Sequence, residues 1–328
     1  MIIIPLLANK SKYEKNRVIN LKNIIKIFHQ LFIGLGKKSV VNTRFVPSSN
    51  QYESYFKKII SNNKILSKLK LDKNSIALGS CFSIRFADFL QSNFQTTVLE
   101  KNIHQLKVNW GRVYNIKNIE QIIEYSIYKK KILVENNKNN FFDPLREDSI
   151  SICNSKKEII KSIVNHRKQS LKALKNASSI ILVLGINEVW YDKNTKSYWG
   201  TKPVPSILNQ NINRFSIKKL SENQIYTSLN RSIQLLKKIN PSIKIVLSLG
   251  VVPPEATFVV KSVLENFFLD QGEIRKVVNK VIDKNPKNVT YSPLFEYLFF
   301  KNPFVLKADN RHVNDYYVKK ALNLIFMK

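Results

Sequence analysis

The sequence predicts an α/β protein with three layers, α/β/α, built around a mostly parallel central sheet of about five strands. From residue 75 onward, short β-branched or apolar runs alternate with longer stretches of helical period. This alternation is typical of a parallel sheet covered by helices on both faces. The chain has 328 residues and is 44% hydrophobic, which is ample for one large buried core.

The individual elements follow from these periods. Strands are predicted at residues 75–78, 96–99, 179–184, 243–249 and 289–292. Helices are predicted at residues 82–94, 119–128, 159–175, 224–239, 263–284 and 315–327. Asn314 is a suitable N-cap for the last helix, whose buried stripe is predicted at Val318, Ala321, Leu322 and Ile325. Residues 129–155 and 190–221 are polar insertions, which we expect to be loops at the strand ends.

The charge of the chain is strongly positive. It has 54 Lys and Arg against 23 Asp and Glu, a net charge of +31, which indicates nucleic acid, an anionic membrane or a polyanionic glycan as a partner. Codon bias in an A/T-rich genome is the alternative, because Lys, Asn and Ile are abundant while Gly and Ala are scarce. Aromatic residues do not interleave with Lys and Arg on one platform, so no specific nucleic acid is predicted.

The two cysteines indicate the cellular compartment, and the first 50 residues indicate the domain organisation. Cys81 and Cys153 are too few for a disulfide framework and too far apart for a metal-ligand pair, so we expect a cytoplasmic protein. Residues 1–50 are predicted to be a basic, partly helical arm, and residues 51–328 the main folded domain. The arm either contacts an anionic membrane peripherally or packs on the core.

A Gly-Ser-Cys-Phe turn at residues 79–82 joins the first predicted strand to the first predicted helix. A nucleophile in such a turn projects from the carboxyl edge of a sheet, and the helix N-terminus offers N–H groups to a developing oxyanion. Cys81 and Ser80 are both candidate nucleophiles. The third alternative is a buried packing cysteine without covalent chemistry.

Asp309 and His312 lie just before the last predicted helix. Their spacing lets the carboxylate orient an imidazole that deprotonates the nucleophile. Beside His312 and a helix N-terminus, we expect the pKa of the Cys81 thiol to fall. The alternative is that His312 is only a cap or a satisfied interior polar group.

Two further residues complete a set for acyl transfer. Asn187 follows the strand predicted at residues 179–184 and offers a side-chain amide to an oxyanion, while Gly111 permits close backbone approach and offers its N–H. No spacing of His, Cys, Asp and Glu predicts a metal site, and no glycine-rich phosphate loop is present. We therefore expect no metal and no cofactor.

These blocks, in this order, resemble the SGNH hydrolases, whose signatures are a strand-turn nucleophile, a loop Gly, a Gly-x-Asn and a late Asp-x-x-His. The chain is still more similar to the GSCFA family, named for a motif that reads Gly-Ser-Cys-Phe-Ser at residues 79–83. Similar phrases occur at residues 111–115, 184–190, 251–254 and 311–314, and the resemblance spans roughly residues 50 to 326. It implies an SGNH-hydrolase or flavodoxin-like fold and places Cys81 at the nucleophile position.

The expected function is that of an acyl-ester hydrolase or O-acyltransferase with a covalent acyl-enzyme, acting on a small molecule, a glycan or a glycan precursor. The rival prediction is a noncatalytic binder that holds an anionic glycan or nucleic acid through its basic surface.

Overall fold

The computed structural model describes residues 51–94, 108, 110–128, 130–138, 140–146, 151–259, 262–301, 306–309 and 311–327. The chain divides into two units, Met1–Tyr52 and Glu53–Lys328. The arm predicted over residues 1–50 and the strand predicted over residues 96–99 both lie outside the described residues.

The second unit is built on a central parallel sheet. Its four strands lie in the order β1, β4, β8, β9 and have the bounds Ile76–Gly79, Ser179–Leu184, Lys244–Leu249 and Val289–Tyr291. Leu78 pairs with Leu182, and Leu182 with Leu247. All three side chains are fully buried, as expected for a parallel sheet with both faces covered. The α/β prediction is therefore confirmed, with four strands in the described part of the sheet.

Nine α-helices occur in the described part of the chain. In order, α1 to α9 are Tyr52–Asn62, Phe82–Phe94, Ile116–Ile127, Lys156–Asn176, Pro205–Gln210, Glu222–Ile239, Val263–Lys284, Leu294–Lys301 and Asp315–Phe326. Each helix predicted from periodicity is present, and α2 and α7 have the predicted bounds. Asn314 caps α9 through its side chain, and the four residues predicted for its stripe are buried. Helices α1, α5 and α8 were not predicted.

The polar insertions contain strands that the sequence did not predict. Strands β2 and β3, Glu135–Asn137 and Asn140–Phe142, form an antiparallel pair. Strands β5, β6 and β7, Glu188–Asp192, Ser197–Trp199 and Phe215–Lys219, form an antiparallel sheet in the order β6, β5, β7. The prediction of loops over residues 190–221 is wrong here, because aromatic pairing across strands, such as Trp190 opposite Trp199, stabilises a sheet that one segment alone does not reveal.

An ion-pair network joins these two small sheets. The Arg214 guanidinium contacts Asp192 at 2.5 Å and also pairs with Glu135. The carboxylate of Asp192 is fully buried. Burial by itself raises its pKa, but hydrogen bonds from Arg214, Thr195 and the Asn194 N–H, together with the charge of Arg214, lower the pKa overall. The network therefore holds the insertions together as one subdomain.

No helix within the described residues is both long enough and apolar enough to cross a membrane.

The close approach of β1 to β4 gives a test of the fold. A Cβ at Gly79 would lie 2.1 Å from the carbonyl oxygen of Val183, and Gly79 has a φ of +148°. We expect Gly79→Ala to lower the free energy of unfolding by about 3 kcal/mol or more, measured by urea denaturation.

Gly272→Ala is the matched control, because Gly272 lies on α7 with no atom within 4 Å of the added Cβ. It should raise the free energy of unfolding by up to about 1 kcal/mol. Equal effects of the two substitutions would contradict the strand packing described here.

Candidate active site

The turn between β1 and α2 is fixed by backbone hydrogen bonds from two sides. The Ser80 N–H donates to the Val183 carbonyl at 3.0 Å, and the Gly79 carbonyl accepts the Val113 N–H at 2.7 Å. The Ser83 hydroxyl, on the first turn of α2, also donates to the Gly79 carbonyl at 3.2 Å. Strand β4 and the segment before α3 therefore both hold the turn in place.

Ser80 and Cys81 face different surroundings within this turn. Ser80 is 5% exposed and fits against the backbone that follows β4 and β8. A Cβ at Gly185 would lie 3.1 Å from the Ser80 Cβ, and one at Gly250 would lie 3.2 Å from its Oγ. Cys81 is partly exposed and lines a surface cavity. The two candidate nucleophiles are thus distinguished by where their side chains lie.

The cavity beside Cys81 has a volume of about 330 Å³. Its polar and reactive lining comprises Cys81, Arg85, Asp88, Arg112 and His312, with Val252 beside them. Cys81 and His312 are 231 positions apart in the sequence, yet they line the same cavity. The structure therefore brings together the two ends of the predicted catalytic set.

Asp309 and His312 form the predicted pair. The imidazole Nδ1 lies 2.5 Å from Asp309 Oδ2, and Asp309 Oδ1 accepts the N–H groups of Arg311 and His312, each at 3.0 Å. The hydrogen bond from the His312 side chain, followed by those two N–H groups, holds the pKa of Asp309 well below its usual range. An ionised carboxylate only accepts hydrogen bonds, so Nδ1 carries the hydrogen and Nε2 is left to act as a base.

The electrostatics of Cys81 differ from expectation. Burial raises the pKa of the thiol, and Arg112, Arg311 and the backbone N–H groups of Phe82 and Cys81 only partly offset this. The prediction of a lowered thiol pKa is wrong, because loss of hydration disfavours the thiolate more than these neighbours favour it. The ground-state sulfur is therefore a protonated thiol.

Gly111 has a φ of +71°, a left-handed conformation that a residue with a Cβ adopts at a cost. It lies between Trp110, whose indole N–H donates to the Ser170 hydroxyl at 3.0 Å, and Arg112, which lines the cavity. The predicted oxyanion role of the Gly111 N–H stays a prediction.

Asn187 is buried outside the cavity beside Cys81. Its side-chain amide donates to Glu273 at 2.9 Å, and its N–H donates to Asp270 at 3.0 Å. Both carboxylates belong to α7, and Asn187 is not among the residues that line the cavity. Its side chain holds the loop after β4 against α7, and its oxyanion role stays a prediction.

Arg112, Arg85 and Arg311 are the site residues that sequence reasoning missed. Arg112 directly follows Gly111 in one of the phrases that carried the resemblance, so a signal was present. Nothing in the linear sequence shows that its side chain faces Cys81. Among the described residues, no three His, Cys, Asp or Glu side chains are grouped so as to hold a metal ion.

The fold and site define an α/β protein with a cysteine, a histidine and an aspartate at the carboxyl edge of a parallel sheet. The family model for the GSCFA family matches residues 74–324, and the chain belongs to this family. The matched region begins just before β1 and ends within α9, so it includes all six predicted site residues. No curated protein matches the chain.

The raised thiol pKa gives a pH prediction. We expect alkylation of Cys81 by iodoacetamide to reach half its maximal rate at a pH above about 8.5, the value of an ordinary thiol. Arg112→Gln should move this midpoint further upward, because Arg112 favours the thiolate. Peptide mass spectrometry across a pH series measures both midpoints.

Arg231→Gln is the charge-matched control, since Arg231 pairs with Glu120 and Glu124 on α3. If alkylation of Cys81 in the unmodified protein reached half its maximal rate at or below about pH 8.5, burial would not be the dominant influence on the thiol pKa.

Proposed function

We propose that this protein is an SGNH-like acyl-ester hydrolase or O-acyltransferase that forms a covalent acyl-enzyme on Cys81. The observation that carries the proposal is that Cys81 and His312 line the same cavity, with Asp309 Oδ2 2.5 Å from the imidazole Nδ1. Nucleophile, base and orienting carboxylate in this relation are the parts needed for covalent acyl transfer.

In the first half-reaction, His312 Nε2 takes the thiol proton while Cys81 Sγ attacks the acyl carbon. Because burial keeps the thiol protonated, a base close to it is required. The tetrahedral intermediate collapses as the bond from carbon to the leaving oxygen breaks. His312 returns its proton to that oxygen, giving a thioester on Cys81 and a free alcohol.

The oxyanion needs donors at the nucleophile turn. The N–H groups of Cys81 and Phe82 already favour negative charge on the sulfur, and they lie at the start of α2, where the helix dipole is positive. Arg112 lines the same cavity. We assign these groups as the main donors, with the Gly111 N–H as an additional one.

In the second half-reaction, water or a hydroxyl of an acceptor gives a proton to His312 and attacks the thioester, and Cys81 leaves as a thiol. Water as acceptor makes the protein an esterase, and a sugar hydroxyl makes it an acyltransferase. We propose a small-molecule or glycan acyl substrate. The net charge of +31 supports peripheral contact with an anionic membrane.

The SGNH relationship and the three-layer arrangement are part of the same proposal. Helices α3, α4, α6 and α7 contact one another in sequence, whereas α9 contacts both α2 and α8. Two groups of helices around one parallel sheet support an α/β/α architecture, and the proposed count of about five strands rests on the sequence pattern.

The nucleophile is tested with 4-nitrophenyl acetate and intact-mass detection. Lysines also react with this ester, so the diagnostic adduct is the one removed by alkaline hydroxylamine, which cleaves a thioester or a serine ester and leaves a lysine amide. We expect this adduct in the unmodified protein and in Ser80→Ala, and none in Cys81→Ala.

Cys153→Ala is the matched control and should keep the adduct. His312→Ala should slow adduct formation by about 10² to 10⁴-fold, while His166→Gln, a substitution on α4, should not. An adduct that survives Cys81→Ala and disappears in Ser80→Ala would transfer the role to Ser80. No labile adduct in any form of the protein would favour the noncatalytic binder.

Asp309 is a positioning residue, and we expect Asp309→Ala to slow acylation by about 10² to 10³-fold. Both side chains of the pair are close to half exposed, so the urea midpoint of unfolding should change little. Asp309→Glu should recover part of the rate. Loss of rate in step with loss of folded protein would instead show a structural role.

A further inference from the structure

Three arginines lie in or next to the lining of the cavity beside Cys81. Arg85 and Arg112 line it. Arg311 directly precedes His312 and donates from Nε to the Pro253 carbonyl at 3.3 Å, next to the lining residue Val252. Arg311 and Arg112 both act electrostatically on the Cys81 sulfur. Two of the three arginines, Arg112 and Arg311, thus lie close enough to act on the reacting atom.

Codon bias does not explain this cluster. Ten of the 54 cationic residues are arginine, and the bias that enriches lysine in an A/T-rich genome works against arginine. Two of these ten line one cavity, and a third, Arg311, acts on the sulfur that lies in it. Arginine is the residue whose planar, permanently charged fork matches a carboxylate or a phosphate, so the residue type indicates an anion.

The nearby carboxylates neutralise the arginines unequally. Arg85 lies 2.9 Å from Asp315 and 4.0 Å from Asp88, and this pairing fixes it to α9 and α2. Arg311 pairs at 3.4 Å with Glu255, whose side chain is 86% exposed, a pair that contributes little. The Asp309 carboxylate is hydrogen-bonded to the His312 imidazole. Arg112 is considered as an anion-binding residue on its position alone, because it is exposed and lines the cavity.

We propose that the cavity takes an acyl donor that carries an anionic group, a carboxylate or a phosphate, bound by Arg112 and Arg311 beside Cys81. The acyl part of this statement rests on the proposed function. The anion site rests only on the placement of the arginines, and the two parts are tested separately.

The anion site is tested with two thiol reagents that differ in charge. Iodoacetate and iodoacetamide both alkylate sulfur by displacing iodide, but only iodoacetate carries a carboxylate. We measure the ratio of their rates at Cys81 by peptide mass spectrometry. Cys153 in the same molecule is the internal reference, because the Glu158 carboxylate acts on it more strongly than Arg146 does.

We expect the ratio of iodoacetate to iodoacetamide to be about tenfold higher at Cys81 than at Cys153. Arg112→Gln and Arg311→Gln should each lower the Cys81 ratio several-fold, and the double variant should remove the preference. Arg231→Gln removes the same charge from α6 and should leave the ratio unchanged. Raising the ionic strength should reduce the preference in the unmodified protein.

Succinate and inorganic phosphate, added at equal ionic strength, distinguish the two anions by how strongly each protects Cys81 from iodoacetamide. Equal ratios at both cysteines, or a Cys81 ratio that neither arginine substitution changes, would overturn the anion site. The acyl part is tested with mono-4-nitrophenyl glutarate against 4-nitrophenyl butyrate, and the anionic ester should form the labile adduct about tenfold faster. Charge-selective alkylation without any labile adduct would overturn the proposed function and retain the anion site.

Discussion

The close approach of three chain segments at the carboxyl edge of the sheet constrains the rest of the site. The segments lie at the ends of β1, β4 and β8, and their glycines are Gly79, the last residue of β1, and Gly185 and Gly250, which follow β4 and β8. A Cβ at Gly250 would lie 3.1 Å from the Cα of Gly185. Ser80 fills the space that the missing side chains leave, so the residue after it, Cys81, lies at the cavity instead. Close packing in the interior thus determines which side chain is available for chemistry.

The position of the C-terminal segment that carries His312 depends on packing at the same edge of the sheet. His312 directly precedes Val313, which pairs with Leu306 in a short antiparallel contact, and Asn314, the N-cap of α9, follows. Helix α9 in turn packs on the helix that follows Cys81, through an edge-to-face contact of Phe86 with Phe326 at 5.7 Å. The imidazole is therefore positioned by packing of α2 against α9, although the histidine itself is half exposed.

Burial and charge oppose each other at the sulfur. Loss of water disfavours the thiolate, whereas two arginines and two N–H groups favour it. Since burial is the larger effect, the proposed thiolate forms only as His312 accepts the proton. The same cations would then stabilise an oxyanion or bind an anionic substrate, because a charge in a cavity is less screened than one in water.

The sequence by itself determined the α/β class, the bounds of α2, α7 and β4, and the likeness to the GSCFA family, because periodic burial and turn chemistry are local properties. It also named Cys81, Asp309 and His312 before their arrangement was known. Only the tertiary structure decided that Ser80 faces the glycines, that Asn187 binds α7, that Arg112 faces Cys81, and that residues 188–219 contain a sheet. Each of these depends on contacts between segments far apart in the chain, and side-chain direction at such contacts leaves no periodic signal in a single sequence.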